Sequence, residues 1–159
     1  YSGGYLLLNY LGSPLYIENA DLSLETAKKL LALESADYFP YLWVIVTSYY
    51  SMYYIANAVL LKLGYKVGEK VSHKVTADAI VVFVRNKLTK SLLEEYENMQ
   101  ADALELMSQR ADNLLKSLDA EREKRSRFQY QMDEQVQRGK AVTSLERAKE
   151  FVFEMKKLL

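Results

Sequence analysis

The sequence predicts an all-α protein that folds as an antiparallel up-and-down bundle of four to five helices. Three observations support this prediction: apolar residues recur at helical spacing along most of the chain, short polar connections separate these segments, and half of the 159 residues are hydrophobic. A chain of this length can bury one core, and short connections place consecutive helices antiparallel. We therefore expect one helical domain, residues 21–159, preceded by an N-terminal arm, residues 1–20.

The N-terminal arm differs in composition from the rest of the chain. Its glycines and Pro14 are expected to break any long helix within residues 1–17. A short strand, a helical turn and a partner-binding arm are all compatible with this segment. We favour an arm that lies on the bundle, because Leu6, Leu7 and Leu8 would otherwise face water.

The first two bundle helices are predicted on either side of a proline. One begins at Asp21 and ends near residues 35–37, since its leucines and alanines recur at helical spacing. The next runs from about Phe39 to Leu63, and Pro40 suits its first turn. This second segment contains the tyrosine-rich stretch, and we take it as the central helix of the bundle.

The tyrosine-rich stretch places aromatic and amide groups on neighbouring faces of the central helix. Its tyrosines form the pairs Tyr49/Tyr53 and Tyr50/Tyr54, each four residues apart, and Asn57 follows Tyr53 by the same step. Packing in the core and lining a nucleotide-sized cleft are both compatible with this pattern. Core packing is the more usual role of such tyrosines.

Further helical segments follow the central helix. That helix is expected to end at Gly64 in the left-handed conformation. Ser72 is a good N-cap for a third helix that continues to about Leu88. A fourth begins at Ser91 and either reaches Arg127 or is divided. If unbroken, it would exceed about 45 Å at roughly 1.5 Å per residue, and a projecting end would favour a homodimer.

The last helix is expected to begin after Gly139, which marks a break. Thr143 and Glu146 match a capping box, in which each side chain satisfies a backbone N–H group at the start of a helix. Apolar residues then recur at helical spacing as far as Leu158. The sequence thus predicts a final amphipathic helix that closes the bundle.

Composition argues against several kinds of chemistry. The chain has no cysteine, which excludes disulfides and thiolate sites, and its single histidine, His73, leaves a metal site dependent on carboxylates. Glu94 and Glu97 lie on neighbouring faces, but acidic residues at a helix start ordinarily reflect the helix dipole. We expect no metal and no cofactor. The formal net charge of zero gives no general attraction for RNA or membranes, and we expect a cytoplasmic protein without a membrane segment.

The order of several motifs resembles the HEPN superfamily of prokaryotic helical domains. The motifs are the tyrosine-rich helix, Gly64-Tyr65, Ser72-His73-Lys74, the segment from Arg125 to Tyr130, and the closing AKEFVFEMKKLL. The resemblance is closest to the small stand-alone branch often found beside a nucleotidyltransferase, and it covers about residues 24–159. It implies a helical bundle that forms a homodimer and pairs with a nucleotidyltransferase.

The resemblance also implies a possible activity. Many HEPN proteins are metal-independent RNases, often toxins, that use an arginine followed a few residues later by a histidine. In the matching segment here, Arg125 and Ser126 fit the motif, whereas Tyr130 occupies the position of the histidine. Tyrosine, with a reference pKa near 10, is a poor base at neutral pH. Because Arg125 can still hold a phosphate and Tyr130 can stack on a base, the resemblance favours binding over cleavage.

His73 is the alternative base, since no other side chain titrates near neutrality. The matching branch tends to carry a histidine here, followed by a basic residue, as Lys74 is. Its participation in catalysis requires an approach to Arg125 across the bundle, whereas a histidine in the first turn of a helix commonly caps or packs. The candidates for catalysis are Arg125, Tyr130 and His73. The predicted nucleotide- or RNA-binding residues are Arg125, Ser126, Arg127, Tyr130, His73, Lys74, Tyr49 and Tyr53.

Three classes of function follow from these patterns. The first is a HEPN-like nucleotide- or RNA-binding regulatory module that pairs with a nucleotidyltransferase in a toxin-antitoxin-type system. The second is a metal-independent RNase of the same fold, in which Arg125 stabilises phosphate charge while His73 or Tyr130 assists proton transfer. The third is a structural helical adaptor whose tyrosine-rich surface binds another protein. We favour the first class.

Overall fold

The computed structural model describes residues 3–66, 72–84, 87, 89–119 and 127–159, with side chains described for 14–66, 73–80, 82–84, 87, 89–107 and 137–159. Within these residues the chain forms five α-helices and no β-strand, which confirms the predicted all-α bundle. The helices are α1 (Gly3–Ala32), α2 (Tyr41–Lys62), α3 (Ser72–Phe83), α4 (Lys90–Asp119) and α5 (Arg127–Lys156).

The tyrosine-rich helix α2 is the centre of the bundle, as its sequence predicts. It contacts all four other helices, and side chains along its whole length are fully buried, among them Val44, Ile45, Met52 and Ile55. Among the described helices, α2 alone is long and apolar enough to cross a membrane, but 78% of its most apolar window is buried inside the bundle. The cellular location of the protein stays a prediction.

Helix α1 begins well before the expected start at Asp21 and continues through Pro14. The helical apolar spacing extends upstream of Asp21, because Tyr16 packs against the core and Ala20 is completely buried. A proline inside a helix costs roughly 3 kcal/mol through a lost hydrogen bond and a steric clash, and this cost is local. The expectation that Pro14 breaks the helix is therefore wrong, whereas the division of the chain into an N-terminal arm, residues 1–20, and a helical domain, residues 21–159, stays a prediction.

Helix α5 is continuous through Gly139, so the predicted break and capping box are both wrong. Glycine costs only about 0.5–1 kcal/mol in a helix relative to alanine, and the burial of Ala141 and Leu145 just beyond it favours an unbroken helix. The carboxylate of Glu146 does not cap a helix start. It pairs instead with Lys149 one turn later, at 2.6 Å.

The other helix ends lie close to the predicted positions or stop earlier. Helix α2 ends before Gly64, which has a φ of 92° and so adopts the expected left-handed conformation. Helix α3 ends at Phe83, earlier than the predicted end near Leu88. Helix α4 is described as far as Asp119, and residues 120–126, which would extend it to Arg127, lie outside the described part of the chain.

Two ion pairs show that α1 and α5 run antiparallel. Near the end of α1, Arg138 donates from Nε to both carboxylate oxygens of Glu34, at 2.8 and 3.0 Å. Nearer the start of α1, Asp21 accepts a hydrogen bond from Lys156. Because the order of the partners is reversed along the two helices, α5 runs antiparallel to α1 and packs alongside it.

Candidate functional site

His73 on α3 lies against three tyrosines of α2, which we call the tyrosine cage: Tyr49, Tyr50 and Tyr53. The centroid of its imidazole ring is 4.6 Å from that of Tyr53 and 5.7 Å from those of Tyr49 and Tyr50. The cage follows from helical spacing, because residues four apart on α2 share a face and Tyr50 occupies the adjacent one. The sequence pattern predicted the tyrosine pairs, and their partner is the single histidine of the chain.

Two hydrogen bonds join the cage to α3 and α4. Gln100 on α4 donates from Nε2 to the Tyr49 hydroxyl at 3.3 Å, and this hydroxyl lies 2.7 Å from Nδ1 of His73. Burial raises the pKa of Tyr49 to about 12, and partial burial lowers the pKa of His73 below its ordinary value. At neutral pH the tyrosine is therefore protonated and the imidazole is neutral.

Tyr96 on α4 lies beneath the cage. Its ring is 6.0 Å from that of Tyr49 and stacks on Phe151 of α5 at 5.3 Å. Its hydroxyl is buried beside that of Tyr49 without a well-formed hydrogen bond to any described residue, and burial raises its pKa well above the ordinary value. A buried hydroxyl whose hydrogen bond is poorly formed costs up to about 1–3 kcal/mol, so the inner side of the site is under-satisfied.

A buried polar pair fixes the position of α3 against α2. The side chains of Asn57 and Thr76 contact each other at 3.3 and 3.4 Å, and Asn57 also donates from Nδ2 to the carbonyl of Tyr53 at 2.8 Å. Thr76 lies one turn after His73 on α3, and Asn57 lies one turn after Tyr53 on α2. The two helices therefore contact each other at both levels, through the rings of His73 and Tyr53 and then through Asn57 and Thr76. The same interhelical contact therefore positions His73 in the cage.

The outer side of the cage continues as an aromatic face towards α1. Tyr50, Tyr53 and Tyr54 are half-buried, with ring centroids 5.6–6.1 Å apart, and Tyr54 lies 6.4 Å from Tyr16 on α1. Burial raises the pKa of Tyr54 and of Tyr16, so both hydroxyls stay protonated at neutral pH. This face presents partly open aromatic rings without negative charge.

The structure brings together three of the predicted site residues, Tyr49, Tyr53 and His73. Lys74 follows on the first turn of α3 and is exposed. Arg125 and Ser126 lie outside the described residues. Arg127 and Tyr130 belong to the first turn of α5, and their side chains are not among those described. The approach of His73 to Arg125, which catalysis by His73 would require, involves a residue outside the described part of the chain.

Sequence reasoning missed two residues of the site, Gln100 and Tyr96. They are four residues apart on α4, so they share a face, in the same arrangement as Tyr53 and Asn57 on α2. This repeated pairing of an aromatic residue with an amide was the available signal. What no pattern supplies is the contact between helices, which places both residues against Tyr49.

The carboxylates of the described residues do not form a cluster suited to a metal ion. No group of three or more histidine, aspartate or glutamate side chains in these parts of the chain is arranged to hold one. Glu94, considered above for such a site, instead pairs with Lys90 one turn earlier, at 3.6 Å. The polar chemistry of the candidate site is therefore that of hydroxyl, amide and imidazole groups.

Comparison with protein-family models, with curated proteins and with solved structures finds no match to this chain. The resemblance to the HEPN superfamily therefore rests on the order of the sequence motifs and stays a prediction. What the structure establishes is a helical bundle with a histidine held among tyrosines, beside a half-buried aromatic face.

Proposed function

We propose that the protein is a HEPN-like regulatory module that binds a nucleotide or RNA at the tyrosine cage. The observation that carries the proposal is the position of His73 among three tyrosines, with rings of the cage half-buried and an exposed lysine next in the chain. This combination supplies aromatic stacking, a polar imidazole and a positive charge within one region.

Stacking is the interaction that the aromatic face is best suited to provide. Every base has two flat faces, and stacking on an aromatic side chain contributes about 1–3 kcal/mol per base. Tyr50, Tyr53 and Tyr54 are half-buried, so each ring is anchored in the bundle while part of it stays accessible. A base that stacks here replaces water on an apolar surface.

Polar groups at the edge of the face would orient the ligand. Nδ1 of His73 contacts Tyr49, and within the described residues the second ring nitrogen makes no hydrogen bond, so it can contact a ligand oxygen. Lys74 contributes a charge that attracts phosphate. In the proposal, Arg125 and Ser126 from the segment between α4 and α5, with Arg127 and Tyr130 from the first turn of α5, complete the site. A nucleotidyltransferase and a second copy of the chain are the proposed partners.

A second candidate is a metal-independent RNase, and one observation favours it. Burial lowers the pKa of His73, so the imidazole is neutral at pH 7 and available as a base. In that mechanism His73 would accept the 2′-hydroxyl proton while Arg125 stabilises the phosphate. The same hydrogen bond to Tyr49 that keeps the ring in place also occupies one of its nitrogens, which is why we prefer binding.

The test is a binding titration combined with a cleavage assay. A mixed-sequence RNA and a set of mononucleotides would be titrated onto the natural chain, Tyr53→Leu and Tyr38→Leu. Tyr38 is the matched control, because it is a 45% exposed tyrosine in the connection between α1 and α2, outside the cage. We expect the Kd of Tyr53→Leu to rise about fivefold to a hundredfold, from the loss of one stacked base, with Tyr38→Leu unchanged.

The cleavage assay uses the same RNA with EDTA present and adds His73→Ala and Arg125→Ala. Binding that depends on Tyr53, without cleavage, supports the regulatory module. Cleavage that both variants abolish would establish the RNase instead. If the folded protein neither binds nor cleaves any probe, and Arg125→Ala changes nothing, the proposal is overturned in favour of the structural adaptor.

A further inference from the structure

We infer that Tyr49, supported by Gln100, is a positioning residue that keeps the proton of neutral His73 on Nε2. The site would then present a hydrogen-bond donor to its ligand and select a group with an acceptor oxygen, either a phosphate or a base carbonyl. The choice of ligand group rests on the proposed function, whereas the state of the imidazole does not. The inference comes from the geometry of three side chains on three different helices.

The first step concerns the Tyr49 hydroxyl, which has one proton to donate and lone pairs to accept with. Gln100 donates to it through an amide N–H group at 3.3 Å, and this contact uses the oxygen as an acceptor. The hydroxyl proton is left for another partner. Because Tyr49 is only 1% exposed, water does not compete for that proton.

The second step concerns where that proton points. The shortest polar contact of the hydroxyl is with Nδ1 of His73, at 2.7 Å, a normal length for a hydroxyl hydrogen bond. The Tyr96 hydroxyl is the other buried candidate, but it makes no well-formed hydrogen bond to any described residue. Tyr49 therefore donates to Nδ1, and a nitrogen that accepts a hydrogen bond carries no proton.

The third step concerns the other side of the imidazole. A neutral imidazole carries one N–H group, so a proton absent from Nδ1 must lie on Nε2. The rings of Tyr50 and Tyr53 lie 5.7 and 4.6 Å from the imidazole and restrict its rotation, which would otherwise exchange the two nitrogens. The group offered to a ligand is thus an N–H donor rather than a free lone pair.

This arrangement has a direct consequence for chemistry at the site. A general base needs an unprotonated nitrogen facing the substrate, whereas an N–H group there donates to an oxygen and holds it. The Tyr49 contact thus favours ligand recognition by His73 over proton abstraction by the same residue. Removing the Tyr49 hydroxyl would free the imidazole to place its proton on either nitrogen.

The test measures the proton position directly, in the absence of any ligand. Because the chain contains one histidine, the ¹⁵N NMR spectrum of protein labelled with ¹⁵N-histidine shows ring-nitrogen signals from His73 alone. Their chemical shifts identify the protonated nitrogen at about pH 8, above the ordinary histidine pKa. We expect the Nε2–H form in the natural chain. In Tyr49→Phe, we expect the ratio of the Nε2–H form to the Nδ1–H form to fall by about threefold to tenfold.

Two further variants make the test specific. Gln100→Leu removes the supporting donor and should shift the ratio in the same direction but less. Tyr53→Phe removes a hydroxyl from the ring closest to His73 that makes no hydrogen bond within the described residues, and it should leave the ratio unchanged. An Nδ1–H form in the natural chain, or an equal shift in Tyr49→Phe and Tyr53→Phe, would overturn the inference.

The ligand part is tested with two probes on the same labelled protein. Adenosine monophosphate offers phosphate oxygens and no base carbonyl, whereas uridine offers base carbonyls and no phosphate. A shift of the Nε2 signal with one probe identifies the acceptor group. If the Nε2–H form is present but neither probe moves the signal, the acceptor-oxygen selection and the proposed binding function are overturned, while the positioning by Tyr49 stands.

Discussion

The ring of His73 lies 4.6 Å from the ring of Tyr53, and one helical turn further along the same two helices Asn57 meets Thr76 at 3.3 Å. These two contacts join α2 to α3, one through aromatic rings and the other through polar side chains. The polar contact is buried and the aromatic contact is partly open. The buried contact between Asn57 and Thr76 thus fixes the position of the His73 ring beside Tyr53.

The buried polar pair gives the first prediction. Thr76→Val keeps the shape of the side chain but leaves the amide of Asn57 without its partner on α3, at a position where neither group reaches water. We expect a loss of about 1–3 kcal/mol in the free energy of unfolding, measured by urea denaturation. Thr26→Val is the matched control, because the hydroxyl of Thr26 donates to the carbonyl of Leu22 within the same helix, α1. Equal losses in the two variants would contradict the prediction.

Two tyrosines on facing helices give the second prediction. Tyr96→Phe removes a buried hydroxyl that lacks a well-formed hydrogen bond within the described residues, and we expect the free energy of unfolding to rise by about 1 kcal/mol. Tyr49→Phe removes a hydroxyl that contacts both His73 and Gln100, and we expect a decrease of similar size. Thermal and urea denaturation of both variants measure the difference. Changes of the same sign in the two variants would refute it.

Two glycines give the third prediction. An added Cβ atom meets nothing within 4 Å at either Gly64 or Gly139, so packing does not distinguish the two positions. Gly139 lies inside α5, and Gly139→Ala should raise the free energy of unfolding by about 0.5–1 kcal/mol. Gly64 has a φ of 92°, and Gly64→Ala should lower the free energy of unfolding by about 1–2 kcal/mol. A stabilising Gly64→Ala would show that the turn after α2 does not require a left-handed residue.

The single histidine gives a pH prediction. The pKa of His73 is lowered in the folded protein by burial, so below the ordinary value of 6.5 the unfolded chain binds more protons than the folded one. The stability that the neutral imidazole contributes is therefore complete above about pH 6.5 and falls as the pH decreases towards the folded pKa. Urea midpoints of the natural chain should decrease over this interval.

The control for the pH prediction is His73→Phe, which retains a ring in the cage without a titrating group. Because the chain has no other histidine, this variant should show a flatter midpoint between about pH 6.5 and 5.5, above the range in which carboxylates titrate. Parallel pH profiles of the two proteins would show that protonation of His73 is not linked to folding.

The sequence predicted the elements that depend on local spacing. Apolar periodicity located α2, and Gly64 marked its end because a left-handed residue there is a local requirement. The predicted helix breaks at Pro14 and Gly139 were wrong, because there a local cost of a few kcal/mol or less competes with the burial of apolar side chains along the rest of the helix. Helix propensity gives the free-energy cost of a proline or glycine in a helix, but only the packed structure shows the burial that offsets this cost.

The candidate site was predicted only in part, because the sequence shows spacing within a helix but not the contacts between helices. The pairs Tyr49/Tyr53 and Tyr50/Tyr54 follow from spacing on one helix, and the structure confirms both. The contacts from His73 and Gln100 to Tyr49 join three helices, and their residues are 24 and 51 positions away along the chain. Periodicity orients residues within a helix, whereas the register between helices depends on the whole core.

The central position of α2 has a consequence for the order in which the chain can fold. Its neighbour α1 is adjacent in sequence, so a hairpin of the two helices closes a short loop at a small entropic cost. Helix α5, which also covers α2, is separated from it by α3 and α4. During synthesis the apolar face of α2 thus stays partly uncovered until the last helix has left the ribosome. In that interval the chain is most prone to aggregate or to need a chaperone.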